Sequence, residues 1–243
     1  MNKAAGCAVA GAFACVAQSV SAIPLSDNFE LITTVGAFSE YSMRGISFTQ
    51  RKPAVQASAI LAHSSGLYAG VWASNVDING LDTRTENDFL AGYNWKISDD
   101  INLDLGYIQY TYPKSSILNA GEAYGVLTAY GFKLGTYYSN DYYGDQVFTY
   151  NYIGYGTKAL PYDIGLDLRF GVADYKDPAF FSSDGSSEDS YSEWEVKLTK
   201  NWVGLDWSAS YIDTNLSETE CLSNIGDKES CSARLLVGVS KTF

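Results

Sequence analysis

Apolar and polar residues alternate along much of this chain, with the two-residue period of a β-strand that faces two different environments. In segment 164–172, Asp167 and Arg169 lie on one face of the strand. Leucine, phenylalanine and valine side chains lie on the opposite face. The same alternation recurs in other parts of the chain, at residues 89–97, 193–199, 205–211 and 233–243. The pattern predicts an all-β protein.

Twelve strands are predicted, at 29–40, 54–62, 67–76, 86–97, 101–112, 122–130, 132–139, 147–157, 162–173, 191–200, 204–213 and 232–243. Many reach about ten residues, the length that a tilted strand needs to cross a bilayer, whereas strands of a soluble sandwich are nearer five or six. Short connections alternate with longer ones, and Gly131 alone must form one of the short turns. This asymmetry is typical of a transmembrane antiparallel β-barrel. Ten or fourteen strands remain open alternatives.

Residues 1–22 predict a cleaved secretory signal peptide, so that the mature barrel would span residues 23–243. Lys3 supplies a positive start, a small apolar run follows, and Val20 and Ala22 fit a small-residue cleavage site. A buried N-terminal helix and a lipoprotein signal ending near Cys15 are the alternatives.

Composition narrows the choice of partners. Of the 243 residues 46% are hydrophobic, which excludes a disordered chain, and the formal net charge of -12 excludes the basic footprint of a nucleic-acid binder. Beyond residue 22 no run of 18 apolar residues occurs, so no transmembrane helix is predicted. The 19 tyrosines and 5 tryptophans fit aromatic girdles at two lipid interfaces.

Cys221 and Cys231 are the two cysteines that remain after signal cleavage. An even pair in an exported protein predicts a disulfide that closes a short loop. A metal site is the weaker interpretation, because the only histidine, His63, is far away in the sequence.

Several segments resemble the TorF-like family of proteobacterial porins, which are outer-membrane proteins of unknown function. The segments are Ser39-Glu-Tyr-Ser-Met-Arg-Gly-Ile-Ser-Phe-Thr-Gln with Lys52-Pro-Ala-Val-Gln56, then Gly66 to Asp77, Tyr110 to Pro113, Asn140 to Gly144 and Val239 to Phe243. The resemblance covers nearly the whole mature chain. It implies a barrel and a pore, and it supplies neither catalytic residues nor a substrate.

Within that motif, Gly45 is expected to take a positive φ and fold the first outward loop into the barrel. Arg44 would then reach a carboxylate in the lumen or line a constriction. Terminal Phe243 completes the last strand and is the residue expected to be read by the outer-membrane insertion machinery. A loop anchored by a salt bridge is favoured over a contact with solute.

Charged residues on the polar faces are the candidates for the lumen wall. They are Asp88, Asp104, Asp163, Asp167, Glu193, Glu195 and Asp206 among the acids, with Lys96, Lys133, Arg169, Lys197 and Arg234 among the bases. They predict either a charged channel or a filled barrel whose charges pair internally. A barrel of twelve strands is intermediate in width, so both stay open.

Enzyme chemistry is not predicted. Phosphate-binding, zinc and G-x-S-x-G motifs are absent from the sequence, and His63 falls in a short turn, far from where a lipid-hydrolysing barrel needs its base. No cofactor is predicted, and an acidic loop at 182–192 lacks EF-hand spacing. The sequence therefore predicts an outer-membrane porin for small solutes. The alternative is a non-conducting barrel that uses acidic loops to bind a partner or to brace the membrane.

Overall fold

The computed structural model describes residues 22–243. The signal peptide predicted for residues 1–22 lies outside the described residues except for Ala22, and so do Cys7 and Cys15. Cleavage after Ala22 stays a prediction.

Twelve strands form the wall of a barrel, and we number them in chain order. They are β1 Phe29–Phe38, β2 Ala54–His63, β3 Leu67–Asn75, β4 Thr85–Lys96, β5 Ile101–Thr111, β6 Ala120–Ala129, β7 Phe132–Tyr142, β8 Gln146–Leu160, β9 Ile164–Tyr175, β10 Ser190–Trp202, β11 Leu205–Thr214 and β12 Arg234–Thr242. Each strand is antiparallel to the next, and β12 pairs with β1, with Gly238 opposite Phe38 and Thr242 opposite Thr34. The predicted all-β barrel fold is confirmed.

The remaining elements are short. Ile23–Pro24 pairs with β1, Ser42–Met43 pairs with Ile46–Ser47, and Phe180–Phe181 pairs with Ser187–Glu188. Helix α1 spans Glu218–Ile225, and two 3-10 turns span Ser116–Leu118 and Pro161–Asp163. None of the helices in residues 22–243 is long and apolar enough to cross a membrane.

Short turns gather at one end of the barrel, which we call the turn end. The turn near Gly131 consists of Tyr130 and Gly131, with φ of 54° and 87°, so both residues adopt the left-handed backbone that a two-residue hairpin needs. Longer connections gather at the opposite end, which we call the loop end. One prediction was wrong here: the connection at 140–146 contains only residues 143–145, because β7 continues to Tyr142 through a register shift.

The outer surface of the barrel is apolar in its middle, as bilayer contact requires. Exposed aliphatic and aromatic side chains such as Leu134, Ile153, Phe170 and Leu235 alternate with inward residues along their strands. Large aromatic side chains are exposed near the turn end, including Tyr130, Phe132, Tyr162 and Trp202. They fit an interfacial girdle at that edge.

Candidate functional site

Residues 39–53, between β1 and β2, enter the barrel from the loop end. We call this segment the insertion loop. Most of its side chains are buried, and Tyr41, Met43, Ile46 and Phe48 join the core that inward residues of the wall strands form. The first half of the lumen below the loop end, which we call the loop half, is therefore packed.

The tip of the insertion loop is a tight turn at Arg44 and Gly45, with φ of 51° and 82°. A Cβ on residue 45 would lie 2.5 Å from Thr214 Cγ2 and 2.8 Å from Glu193 Cβ. Glycine is required here both for its positive φ and for its close approach to the barrel wall. The backbone oxygen of Arg44 accepts a hydrogen bond from the Tyr191 hydroxyl at 2.9 Å.

The Arg44 side chain crosses the lumen to Glu122 on β6. Its two terminal nitrogens donate to the two oxygens of Glu122 at 2.8 and 2.7 Å, a bidentate geometry that favours a buried ion pair. Three rings, of Tyr137, Phe148 and Tyr150, lie 4.8–5.1 Å from the guanidinium carbon. The cation is therefore held by one carboxylate and an aromatic cage.

An aromatic cluster fills the space beside that ion pair. Tyr142 and Phe148 stack with ring centroids 4.1 Å apart, and Tyr175, Phe180 and Tyr191 continue the contacts edge to face. Phe148 and Phe180 are completely buried.

The other outer connections hold the insertion loop from above. Ser47 N donates to Ser230 O, and Asp77 N donates to Phe48 O, both at 2.8 Å. Ser230 belongs to the last connection, where Cys221 and Cys231 form a disulfide with Cα atoms 5.9 Å apart. The predicted disulfide is confirmed.

Helix α1 in that last connection begins with a capping box formed by Ser217 and Glu220. Ser182 Oγ donates to Glu220 Oε1 at 2.6 Å and joins α1 to the connection between β9 and β10. These hydrogen bonds from Ser182 and Ser217 hold the pKa of Glu220 below its usual value, so it is ionised at neutral pH.

The lumen nearer the turn end, which we call the turn half, is different. Lys133 pairs with Asp167 at 2.5 Å, and Arg169 pairs with Glu195 at 3.0 Å. These four side chains face inward, yet they keep exposed fractions of 27, 26, 24 and 14%. Their outward neighbours, such as Leu168 and Phe170, are exposed on the opposite side of the wall. Water therefore reaches the inner face of β7, β9 and β10.

Three inward acids have no cation. Glu86 and Asp88 on β4 and Asp104 on β5 are buried, and none of them takes part in a salt bridge within residues 22–243. Tyr68 Oη donates to Asp104 Oδ1 at 2.7 Å, and Tyr41 Oη donates to Glu86 Oε1 at 3.1 Å. The oxygens Glu86 Oε2, Asp88 Oδ1 and Asp104 Oδ2 are buried without a hydrogen-bond donor among the described residues.

The other candidates from the sequence lie apart from one another. Arg234 Nε donates to Glu40 Oε1 at 2.5 Å near the loop end. Lys96 pairs with Asp99 and is exposed at the turn end, where Asp206 accepts from Asn201. Asp163 is exposed in the turn before β9, and Lys197 is half-buried on β10. Phe243 extends β12 through hydrogen bonds with Thr33.

Glu193 belongs to the loop half rather than to the water-accessible wall. It is completely buried and accepts from Arg169 Nε at 2.8 Å and from the Tyr150 hydroxyl. Glu40, Glu86 and Glu122, which bond the insertion loop and Arg234, are not among the residues that the sequence predicts for the lumen. The alternation could have predicted that two of them face the lumen. Glu86 lies two residues before Asp88, on the same face of its strand, and Glu122 is the first residue of a predicted strand.

A family model described as a bacterial protein of unknown function (Gcw_chp) matches residues 23–243. The chain belongs to this family. No curated protein matches the chain.

Solved porins have the same fold at low sequence identity. The NanC porin is 12% identical, with a TM-score of 0.50 over 87% of this chain and 98% of that one. The KdgM porin in complex with disordered oligogalacturonate is 10% identical, with a TM-score of 0.50 over 88% of this chain and 99% of that one. At such identity the likeness establishes the architecture alone.

Proposed function

We propose that this Gcw_chp protein is an outer-membrane porin that forms a narrow channel for passive diffusion of small solutes. The observation that carries the proposal is the water-accessible charged wall of the turn half, where Lys133, Asp167, Arg169 and Glu195 remain partly exposed inside the barrel. Partial exposure of ionised groups in a lumen means hydrated space, which a filled barrel would lack.

The resemblance to TorF-like porins and the porin architecture support this proposal. The apolar outer band and the aromatic residues near the turn end fit lipid contact, with the turn end in the periplasm. Phe243 at the end of the last barrel strand would be the mark read by the insertion machinery. No enzymatic step and no cofactor enter the proposal.

A second candidate function has an observation of its own. The loop half is packed by the insertion loop and the aromatic cluster, with Phe148 and Phe180 completely buried. A barrel that stayed in this state would not conduct. It would instead serve as a structural protein or bind a partner through its acidic outer connections.

Conductance across a planar bilayer distinguishes the two functions. We expect discrete single-channel steps from refolded wild-type protein, and a modest cation preference measured as a reversal potential in a salt gradient. Glu195→Gln should reduce this preference because Glu195 meets lumen water, whereas Lys52→Met, at an exposed outer position, should leave it unchanged. Absence of conductance in protein shown to be folded would favour the second function.

A further inference from the structure

Three of the buried acids of the loop half pair with an arginine, and two have no cation among the described residues. Glu40, Glu122 and Glu193 each have an arginine, in the pairs with Arg234, Arg44 and Arg169. Glu86 and Asp88 have none, although their exposed fractions are only 0 and 6%. An uncompensated buried carboxylate is costly, and two side by side are more so.

Glu86 and Asp88 are two residues apart on β4, so both side chains point to the same inner face. Their carboxyl groups lie within hydrogen-bond reach of each other. One oxygen of each, Glu86 Oε2 and Asp88 Oδ1, is buried and has no donor among the described residues. A single proton between the two carboxyl groups would supply the missing donor and remove one of the two charges.

The pair is in direct contact with the insertion loop. Tyr41 Oη donates to Glu86 Oε1 at 3.1 Å, and the Tyr41 ring packs on Trp72 of β3 with centroids 5.2 Å apart. Other titratable groups face the pair from β5 and the residue after it, from β6, from the end of β7 and from the turn that follows β7. These groups are Tyr110, Tyr112, Glu122, Tyr142 and Tyr143.

None of these neighbours neutralises the pair. Both terminal nitrogens of Arg44 donate to Glu122, and Tyr41 donates to Glu86 as a neutral hydroxyl. Glu122 adds a further negative charge close by. The insertion loop is not a strand of the barrel wall, so it can leave the lumen without breaking the pairing of the wall strands.

We propose that Glu86 and Asp88 share one proton in the closed barrel, and that release of this proton drives the insertion loop out of the lumen. In the open state water solvates both carboxylates, so the closed state holds the proton more tightly. Closure is then favoured at low pH and opening at high pH. The closed–open equilibrium changes by up to tenfold per pH unit, because one proton is released.

Trp72 provides a reporter that does not depend on conduction. Its exposed fraction is 6% inside the barrel, whereas Trp95, Trp194, Trp202 and Trp207 are exposed on the outer face of the barrel. In liposomes, acrylamide in the aqueous phase should quench Trp72 only after Tyr41 has left it. Subtracting the emission of a Trp72→Phe variant isolates this contribution. This measurement tests opening of the insertion loop independently of the proposed channel function, since the loop can open whether or not ions pass.

We expect quenching of Trp72 to rise with pH in wild type through a one-proton transition. Asp88→Asn should stay unquenched throughout, because its amide donates to Glu86 as the shared proton does. Glu86→Gln serves the same purpose if Asp88→Asn fails to show a heat-modifiable folded band. Asp104→Asn is the matched control, because Asp104 is equally buried and lacks a cation but bonds Tyr68 rather than the loop.

Two results would overturn the proposal. One is a wild-type quenching constant that is independent of pH, and the other is a pH transition in folded Asp88→Asn that matches wild type. A transition that is lost in Asp104→Asn but kept in Asp88→Asn would assign the proton elsewhere and also overturn it. Each of these results would reject the proton-controlled loop and would leave the proposed channel function to be decided by the conductance measurement.

Discussion

The two halves of one lumen are built from the same strands and from the same alternation, yet they differ in what fills them. In the loop half, Arg44 and Glu122 are almost completely buried, with exposed fractions of 8 and 0%. In the turn half, Lys133 and Asp167 form a pair of the same kind with about a quarter of each side chain exposed. The difference arises from the insertion loop, which supplies a core to one half and leaves the other to water.

This contrast shows how a narrow barrel can hold a closed section and a hydrated section in series. Charges in the closed section contribute to stability and to the position of the loop, because their environment is desolvated. Charges in the hydrated section contribute little to stability. Their main effect is on the selectivity for the ions or solutes that pass. Substitutions in the two halves should therefore separate into two classes of outcome.

The largest effect is expected from Arg44→Met. Removing the guanidinium leaves Glu122 charged and buried, which costs about 3–5 kcal/mol in comparable buried pairs. The free energy of unfolding in urea should fall by that amount, and single-channel conductance should rise because the insertion loop loses its anchor. Adding Glu122→Gln should recover part of the stability.

Lys52→Met is the matched control for Arg44→Met. Lys52 is in the same loop and pairs with Asp77 at 2.5 Å, but its exposed fraction is 61%. Its loss should cost less than about 1 kcal/mol. Equal destabilisation by the two variants would refute the assignment of Arg44 to a buried clamp.

Removal of the disulfide by Cys221→Ser with Cys231→Ser should have the next largest effect. The loop-entropy relation for a bridge with a sequence separation of 10 gives at most about 3 kcal/mol. Because Ser230 O accepts from Ser47 N, loosening this connection should also increase acrylamide quenching of Trp72. Unchanged quenching would show that the last connection does not hold the insertion loop, and alkylation without reductant should find no free thiol in wild type.

Gly45→Ala should cost about 1–2 kcal/mol from its left-handed backbone, and more from the contact with Thr214. Gly80→Ala is the control: its φ is 78°, similar to that of Gly45, but no atom lies within 4 Å of the added carbon. The difference between the two variants in urea unfolding measures the close approach alone. If Gly80→Ala were as destabilising, packing at the tip of the insertion loop would not matter.

The smallest effect on stability is expected from Asp167→Asn in the turn half. Its pair with Lys133 is partly hydrated, so the unfolding free energy should change by less than about 1 kcal/mol. The reversal potential should nevertheless move toward anion preference, because Lys133 keeps its charge. A large loss of stability with unchanged selectivity would place this pair in a closed section like that of Arg44.

Much of the fold followed from local pattern. Period-two alternation predicted strands at the positions of all twelve barrel strands. The very short turn predicted near Gly131 is also present, as the two residues Tyr130 and Gly131. The connection at 143–145 was misjudged, because extension of β7 depends on a register shift with β8 that no local pattern contains. Strand ends are decided by pairing across the sheet.

The site was harder to predict. Alternation assigns a residue to the inner or outer face, but it does not tell which inner residues meet across the lumen. Glu122 is 78 residues from Arg44 in the sequence, and their contact depends on strand tilt and on the depth that the insertion loop reaches. Asp88 was recognised as an inward charge, but its contact with Glu86 and the insertion loop was not.

The sequence by itself determined the all-β class, the faces of the strands, the short and long ends of the barrel and the disulfide pair, whereas closure of the sheet decided among ten, twelve and fourteen strands. These features follow from neighbours along the chain, where side-chain period, turn residues and cysteine count act locally. Tertiary structure alone decided which half of the lumen is closed and which acids have no cation. Those properties depend on burial and charge partners that strand closure and the insertion loop bring together from distant parts of the chain.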